Sequence, residues 1–514
     1  MEWGELCMRM EVSFMKGSVL RICGMALAAA VALAGCSSKP QGKGADEIEK
    51  KNAAIGISVH DPSIVKSEDT YYIFGSHMEA AQSTDLMQWK SFASGVNASN
   101  PLFDNLFDES MKPFEYVGEY VEGGYAVWAP DVIYNETMGK WVMYFSTSHD
   151  WRTSNICFAT ADEITGPYTY IDTLLYSGFT SMTADKTNLA EIMGEDVKVS
   201  DYLQSAEYNH LNFPNCIDPT VFYDKDGKMW MVYGSWSGGI WMLEIDQATG
   251  YPIHPQADEE AHVDKYFGKY LIGGLHNSCE GPYIFYDAES GYYYLLVSYG
   301  GLTREGGYQI RCFRSEQVDG PYLDASGSSF GYVSEHSGLG VKMMGNYFLP
   351  SLKTAYMAPG HCSALTDDGG KMYLVYHQRF DNGSEYHEPR VHQMFRNREG
   401  WLVAAPFATN GESLKASGYA KKEVEGNWYL LNHGTDIGAD IHEAEAVTLK
   451  GGTISGSAGG TYELEEGTCY MKLVQNDITY SGVLLDMTDE AGNAVRCLMA
   501  VGENNETVWA VMYI

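Results

Sequence analysis

The sequence DPSIVKSEDTYYIF, residues 61–74, contains the unit that decides the fold: an acidic residue, a short apolar strand, a polar turn and a second, aromatic strand. Two strand-forming runs on either side of a short polar turn are typical of an antiparallel pair. Four further copies of this unit follow along the chain, and they begin at Asp131, Asp218, Glu280 and His361. A unit that recurs in this way predicts a repeat architecture.

Each interval between successive copies is longer than the roughly 40–45 residues of a WD40 blade. It therefore has room for one four-stranded sheet with long loops. Radial repetition of such sheets leaves only short, protected strand edges. We therefore predict an all-β fold in which residues 52–407 form a five-bladed β-propeller. If the first strand of each blade lines a central channel, the five leading residues, Asp61, Asp131, Asp218, Glu280 and His361, converge at one end of it.

A different pattern begins after about residue 407. Short apolar runs such as 428–431 and 483–485 alternate with turns rich in Gly, Ser and Thr, such as 451–460. This alternation predicts a second, small all-β domain over residues 411–514, either a sandwich or a barrel. It contains no clear catalytic constellation.

The N-terminus has the order of features found in a lipoprotein signal peptide. Basic residues precede the apolar run 24–34, which is too short to span a bilayer as a mature helix. The run ends in Leu33-Ala34-Gly35-Cys36, which resembles a bacterial lipobox. We predict that residues 1–36 are the signal peptide ending at the lipobox, that Cys36 is lipidated, and that the polar residues 37–51 are a tether. An ordinary signal peptide that ends near a cysteine is the alternative.

Charge limits the partners and the location of the protein. The chain has a formal net charge of −34 from 68 acidic and 34 basic residues, so it repels phosphate backbones and we expect no nucleic-acid partner. The same charge disfavours anionic membranes, which leaves the lipid anchor as the expected membrane contact. We expect a monomer that is extracellular or anchored by lipid at a bacterial cell surface.

Seven of the ten cysteines lie beyond the lipobox, and an odd number cannot all form pairs. None of them has the CxxC spacing of a metal site. We expect mostly buried free thiols, with Cys469 and Cys497 as the candidates for a bridge within the last domain.

Carboxylates that converge around a polar cavity suit the hydrolysis of a glycosidic bond. One carboxylic acid protonates the leaving oxygen, and a second carboxylate activates water or acts as a nucleophile. A third carboxylate nearby raises the pKa of the acid through like-charge repulsion. Trp128 and the segment WSGGIW at 236–241 favour a sugar ligand, because aromatic faces stack on the C–H faces of sugars. A single Asp-Pro usually marks a turn, because both residues favour turns. A preference for turns does not explain why four of the five leading residues in the aligned units are acidic.

Five segments together resemble glycoside hydrolase family 43, and most closely its endo-1,5-α-L-arabinanases. They are His60-Asp61-Pro62-Ser63-Ile64, Trp128-Ala129-Pro130-Asp131, Asn215-Cys216-Ile217-Asp218-Pro219, residues 234–240 and Glu280-Gly281-Pro282-Tyr283-Ile284. The resemblance covers about residues 58–405, and the segments come in the order of the family. The C-terminal part, with WYLLNHG at 428–434, looks like the small β-domain of the larger arabinanases.

The resemblance implies cleavage of α-1,5-L-arabinofuranosidic bonds in arabinan with inversion of configuration. It implies that Asp61 is the general base that activates water and that Glu280 is the general acid. Asp218 is then the carboxylate that orients the acid and tunes its pKa. Inversion predicts that the carboxyl groups of Asp61 and Glu280 lie about 6.5–9.5 Å apart, with room for water and sugar.

The resemblance also implies a metal ion, usually calcium, beside His361 in the central channel. Because calcium prefers oxygen ligands, a histidine that is only hydrogen-bonded within the channel is the alternative. Candidate substrate contacts are His60, Trp128, Asn215 and Ser237. Asp131 is a candidate for the same role, and a structural role is equally open for it.

Three functions remain open at this point. The first is an endo-acting arabinanase, and the second is an exo-acting β-xylosidase or α-L-arabinofuranosidase on the same propeller. The third is a non-catalytic surface glycan-binding protein, which is disfavoured because all three carboxylates stand in their motifs. Endo or exo action depends on whether the cleft is open at both ends, and long loops such as 176–214 and 253–278 decide that.

Overall fold

The computed structural model describes residues 42–194 and 197–514. Five sheets follow one another along the chain, and a closed eight-stranded barrel comes after them. This arrangement confirms the predicted all-β propeller. It also shows that the second domain is a barrel and not a sandwich. The predicted signal peptide, Cys36 and the first residues of the predicted tether lie outside the described residues.

The first two blades are four-stranded antiparallel sheets in which neighbouring strands follow one another along the chain. Blade 1 contains Ser63–Ser67, Thr70–Gly75, Glu79–Ser83 and Lys90–Ala93. Blade 2 contains Ala126–Asn135, Lys140–Ser148, Ser154–Ala161 and Thr169–Ser177. A two-stranded ribbon, Leu203–Gln204 with Glu207–Tyr208, stands in the long loop before blade 3.

The remaining blades repeat this order, and blades 3 and 5 carry additional short strands. Blade 3 contains Thr220–Tyr223, Met229–Tyr233, Ile240–Ile245, Pro252–Ile253, Val263–Asp264 and Gly268–Ile272. Blade 4 contains Glu280–Asp287, Tyr292–Tyr299, Gln309–Ser315 and Val341–Met344. Blade 5 contains Tyr347–Phe348, Tyr356–Thr366, Met372–Phe380, Glu388–Arg396, Leu402–Ala404 and, from the C-terminal region, His442–Glu443.

The barrel closes on itself, so it leaves no open strand edge. Its strands are Gly426–Asn432, Glu445–Lys450, Thr453–Gly456, Gly460–Leu464, Tyr470–Gln475, Ile478–Thr488, Ala494–Gly502 and Thr507–Tyr513. The helices are short: Leu189–Met193 and Lys421–Val424 are α-helical, and Ala45–Glu47, Ser76–Met78, Lys112–Phe114, Ala184–Lys186 and Val199–Tyr202 are 3-10 helices. Within the described residues, no helix has the length and apolar character needed to span a bilayer.

The innermost strand of each blade lines the central channel, as the repeat predicts. Ile64, Val132, Val221, Tyr283 and Leu365, one residue from each inner strand, border a cavity of about 410 Å³. The channel is therefore a shared surface to which all five blades contribute, and residues at matching positions on these strands are brought close together.

Blades 1 and 5 close the ring without sharing a strand among the described residues. The hydroxyl of Ser363 in blade 5 accepts a hydrogen bond from Ile64 N at 3.0 Å and donates one to Pro62 O at 2.7 Å. Beside these bonds, Ile64 belongs to an apolar cluster with Val375 and Val391 of blade 5. The closure therefore lies directly beneath the start of the first inner strand.

The barrel packs against blades 4 and 5 in one continuous hydrophobic core. The strand His442–Glu443 pairs in parallel with Tyr347–Phe348 and so extends the sheet of blade 5. The fully buried guanidinium of Arg311 in blade 4 donates to Thr435 O at 2.6 Å, in the loop that follows the first barrel strand. Because a buried guanidinium needs acceptors, this contact fixes the loop on the propeller.

The segment 43–51, which the sequence predicts to belong to the tether, lies along the barrel. Lys43 N donates to Tyr513 O at 2.8 Å, and the amide group of Asn493 donates to Glu49 O at 2.9 Å. Lys51 N then donates to Ser351 O at 2.8 Å. Over this stretch the tether is therefore docked, and the chain is held from the barrel almost to the first blade.

All seven cysteines of the described chain are buried free thiols, so the candidate bridge between Cys469 and Cys497 is wrong. The strand Ile478–Thr488 separates them, because Cys469 accepts from Leu484 N and Cys497 pairs with Leu485. Residues two strands apart in a sheet are about 10 Å apart. A disulfide needs Cα atoms within about 7 Å.

Candidate active site

At a matching position in or just before each inner strand, one residue has a left-handed backbone conformation, and blade 5 has a second such residue, Ala358, with a φ angle of 47°. The φ angles are 54° for Asp61, 40° for Ala129, 56° for Asp218, 56° for Gly281 and 45° for His361. Positive φ is uncommon outside glycine, and it turns the chain sharply at this point. Four of the five residues directly precede a proline. The kink therefore recurs in all five blades and sets which side chains face the end of the channel.

The backbone alignment places Ala129, and not Asp131, at the position that Asp61 occupies in blade 1. Asp131 is buried; one carboxylate oxygen accepts a hydrogen bond from the hydroxyl of Ser63, and the other accepts one from Val221 N at 2.6 Å. Burial raises the pKa of Asp131 to about 6. The prediction that Asp131 joins the cluster is wrong, because it follows the proline of its motif instead of preceding it. It ties blade 2 to blades 1 and 3.

Asp61 is surrounded by groups that stabilise its ionised form. One oxygen lies 2.7 Å from Nδ1 of His60 and accepts a hydrogen bond of 2.5 Å from the Ser76 hydroxyl. The other lies 3.1 Å from Nδ1 of His361 and 3.6 Å from Nδ1 of His377. Burial raises the pKa of Asp61, but interaction with His361, His60 and His377 outweighs it and holds the pKa well below its usual range. Asp61 is therefore available as a base.

Glu280 is fixed by donors from three directions. Its Oε2 accepts hydrogen bonds from the Ser235 hydroxyl and from Nε1 of Trp236, both at 2.9 Å, and the Tyr308 hydroxyl is a further partner. Asp218 accepts a hydrogen bond of 3.2 Å from the backbone N–H that directly follows Glu280. The two carboxyl groups are therefore neighbours, with Asp218 buried and Glu280 partly buried.

The surroundings raise the pKa of both members of this pair. Burial raises the pKa of Asp218 well above its usual range, and the charges of Glu280 and Asp61 raise it further. Burial also raises the pKa of Glu280, although the Tyr308 hydroxyl and His361 oppose the shift. Titrations of such neighbours belong to the pair. The pair holds a proton under conditions in which Asp61 holds none, so the site contains one acid and one base.

His361 stands on the innermost strand of blade 5, where its backbone N–H donates to the Ser298 hydroxyl at 2.7 Å. Among the described residues, the one group of three ligating side chains close enough to hold a metal is His60, Asp61 and His377, and it does not include His361. A cation beside His361 would thus have few protein ligands. This donor set fits a calcium ion that keeps most of its water molecules.

The four predicted substrate contacts differ in their freedom to bind a sugar. Trp128 is partly exposed, whereas the ring of His60 is hydrogen-bonded to Asp61. Asn215 is 3% exposed, and its oxygen accepts a hydrogen bond of 2.5 Å from Ser154. Ser237 is 1% exposed. Trp128 therefore offers free surface to a ligand, and the other three residues hold the walls of the site.

Comparison with known families agrees with this geometry. Residues 51–189 and 200–402 match the model of glycosyl hydrolases family 43, and residues 406–510 match that of a C-terminal lipocalin-like domain. The chain belongs to glycosyl hydrolases family 43. The match to the family model covers the inner strands of all five blades and includes Asp61, Asp218, Glu280 and His361.

Two curated relatives of this family 43 chain are similar over most of their length. The extracellular endo-α-(1→5)-L-arabinanase 2 of Bacillus subtilis is 38% identical over 470 residues, which cover 88% of this chain and 92% of the relative. The extracellular endo-α-(1→5)-L-arabinanase of Thermotoga petrophila is 35% identical, over 88% and 93% of the two chains. A family 43 glycoside hydrolase from Bacillus licheniformis is similar in structure, with a TM-score of 0.77, 39% identity and coverage of 89% and 98%.

Several residues of the site were not predicted from the sequence. The ring of His377 stacks on that of His60 with centroids 4.3 Å apart, and on that of Tyr308 at 5.6 Å. Trp236 belongs to the segment that suggested sugar stacking and Ser235 directly precedes it, but their contact with Glu280 was not foreseen. A lone histidine within a strand, or a lone tyrosine just before one, carries no specific signal, so only the tertiary structure reveals that His377 and Tyr308 belong to the site.

Gly360 allows the Tyr308 ring to reach Glu280, because a Cβ at residue 360 would lie 2.1 Å from that ring. We expect Gly360→Ala to displace Tyr308 and to lower kcat on the order of 10- to 100-fold with little change in KM, since small misplacements of catalytic groups are costly. Steady-state kinetics with Gly44→Ala as control check this, because a Cβ at Gly44 meets no atom within 4 Å. Full activity of Tyr308→Phe would contradict the role of this contact.

Proposed function

We propose that this protein is an endo-acting hydrolase of α-1,5-L-arabinofuranosidic bonds in arabinan that inverts configuration. The observation that carries the proposal is the pairing, in one site, of a carboxyl group with a lowered pKa and two carboxyl groups with raised pKa values. The relatives named above, similar over both domains, are endo-arabinanases by name. The substrate in this proposal is taken from the names of these relatives, and the hydrolytic reaction is inferred from the three carboxyl groups.

In this proposal Asp61 removes a proton from the attacking water while Glu280 protonates the leaving oxygen of the glycosidic bond. The histidines around Asp61 keep it ionised before the reaction. Asp218, next to the acid, raises the affinity of the pair for its proton and holds the acid in place. The proton that leaves water ends on Asp61, and the pair regains its own from solvent. Inversion requires a separation of about 6.5–9.5 Å between Asp61 and Glu280.

Exposed apolar residues at the rim support the binding of a polymer. Trp151 is 65% exposed, and its carbonyl oxygen accepts a hydrogen bond of 3.1 Å from Asn215. Leu211 is 43% exposed and Leu275 is 41% exposed, and their backbones are bonded to each other. Exposed apolar groups beside a polar site commonly mark ligand-binding grooves. A rim that continues past the carboxylates suits an endo-enzyme, which must hold sugars on both sides of the cleaved bond.

The same proposal includes an extracellular location, because both relatives are called extracellular. The lipobox supports attachment of the mature chain to a bacterial membrane through Cys36, which mass spectrometry of the mature N-terminus tests. We further propose that the enzyme acts as a monomer, with one complete set of carboxyl groups in each chain.

We also propose that calcium binds beside His361, where it would supply positive charge that favours the ionised form of Asp61. His361 positions Asp61 in either case, through the contact of 3.1 Å between them. Removal of calcium by a chelator should lower kcat, and added CaCl₂ should restore it. In His361→Ala the added ion should have no effect. A chelated wild-type enzyme that keeps full activity would exclude the ion.

The first experiment uses protein that lacks residues 1–36 and linear 1,5-α-L-arabinan. Chromatography should find mixed oligosaccharides early in the reaction, and Glu280→Gln should lower kcat by about 10²–10⁴-fold, the usual contribution of a general acid. A 2,4-dinitrophenyl arabinobioside, whose leaving group needs no proton, should recover much of this loss in Glu280→Gln but not in Asp61→Asn. Arabinose as the sole early product would instead indicate an exo-enzyme.

The pH dependence should report the coupled pair. Activity requires an ionised Asp61 and a protonated pair, so kcat/KM falls as pH rises through the pKa of the pair. Asp218→Asn removes the charge that raises this pKa, and we expect the alkaline limb to move to lower pH. The acid limb, which belongs to Asp61, should move less. An unchanged alkaline limb would show that Asp218 does not act on the pKa of Glu280.

A further inference from the structure

One mouth of the C-terminal barrel contains a cavity of about 580 Å³. The inward-facing side chains Leu430, Asn432 and Tyr480 form part of its wall. Deeper in the barrel, the buried side chains of Trp428 and Leu498 occupy the interior, so the space is confined to the mouth. Ligand sites often lie in the mouths of β-barrels and commonly measure about 300–1,000 Å³.

The polar groups that line this cavity are held in place by hydrogen bonds, and some of their acceptor oxygens have no partner. Oε2 of Glu506 accepts hydrogen bonds from the Tyr480 hydroxyl and, at 2.8 Å, from Nδ2 of Asn432. Nε2 of Gln475, a residue that is 8% exposed, donates to Gly459 O at 3.1 Å. Within the described chain, Oε1 of Glu506 and Oε1 of Gln475 have no hydrogen-bond partner, although both residues line the cavity. Each of these oxygens can therefore accept a hydrogen bond from a ligand or from water in the cavity.

The lining restricts the chemical class of that ligand. It includes Glu443, Glu445 and Glu506 but no lysine or arginine, so an anion would be repelled. Within the described residues these carboxylates do not form a group compact enough to hold a metal ion. Apolar side chains such as Leu430 and Ile478 are a minority, which disfavours a lipid. An uncharged molecule dense in hydroxyl groups fits, because carboxylates and amides accept from and donate to hydroxyls.

We propose that the barrel mouth is a second binding site for arabinan chains, separate from the catalytic cleft. The choice of arabinan among neutral polysaccharides rests on the proposed function. One wall of the cavity, the strand His442–Glu443, is hydrogen-bonded into blade 5, so the mouth is rigidly joined to the catalytic domain. Two sites on one rigid body raise the effective concentration of a polymer at the cleft.

The test uses full-length mature protein with Glu280→Gln, which prevents turnover, titrated in a calorimeter with linear 1,5-α-L-arabinohexaose. Gly459→Tyr fills the mouth; Gly459 lines the cavity, and a Cβ there meets no atom within 4 Å, so the new ring should fit without strain. Gly44→Tyr is the matched control, because residue 44 is exposed and also has open space at its Cβ.

We expect two molecules of hexaose per chain in the parent and in the Gly44→Tyr control, and one in Gly459→Tyr, with the mouth site weakened at least tenfold. One molecule per chain in the parent, or two in Gly459→Tyr, would overturn the inference. A parallel titration with CaCl₂ whose heat disappears in Gly459→Tyr would overturn it in favour of a cation site. Hydrolysis of arabinan by protein with intact Glu280 tests the proposed function separately, so one can fail while the other stands.

Discussion

The active site depends on a single backbone constraint, the left-handed residue at a matching position in or just before each inner strand. A strand with regular backbone would point alternate side chains at the channel and at the blade, and its end would carry no special group. The kink turns Asp61, Asp218 and His361 toward one another, and in blade 4 it falls on Gly281, so that Glu280 points into the same space. Positive φ has a cost of about 1–3 kcal/mol for non-glycine residues, which the packed propeller must offset.

Once these groups meet, their surroundings decide their chemistry. Asp61 is buried and Glu280 is partly buried, so the loss of water around them would by itself raise the pKa of each carboxyl group. Imidazole groups on three sides reverse this effect for Asp61. For Glu280 the effect of burial prevails over the Tyr308 hydroxyl and His361, and the pKa stays raised. The opposite pKa shifts of these two carboxyl groups therefore depend on which residues the five blades bring beside each of them.

The C-terminal barrel is more than an appended module, because it supports the catalytic cluster from two sides. The segment 43–51 bonds to the barrel before the chain reaches the first inner strand. On the other side, Arg311 binds the loop after the first barrel strand. Arg311 lies three residues beyond Tyr308, whose hydroxyl is hydrogen-bonded to Glu280. A shift of the barrel would therefore disturb the surroundings of both Asp61 and Glu280. This rigidity is also what would let a polysaccharide site at the barrel mouth act together with the cleft.

The sequence by itself determined the five-bladed fold, the change of domain after residue 407 and the three carboxylates, because each of these leaves a local pattern that recurs or stands in a motif. It misplaced Asp131, although the prolines of the motifs, aligned strictly, would have put Ala129 at that position. Only the tertiary structure decided that His377 and Tyr308 belong to the site, that the second domain is a barrel and that Cys469 and Cys497 stay unpaired. These features depend on contacts between distant strands, and the spacing of residues along the chain does not encode the distance across a sheet.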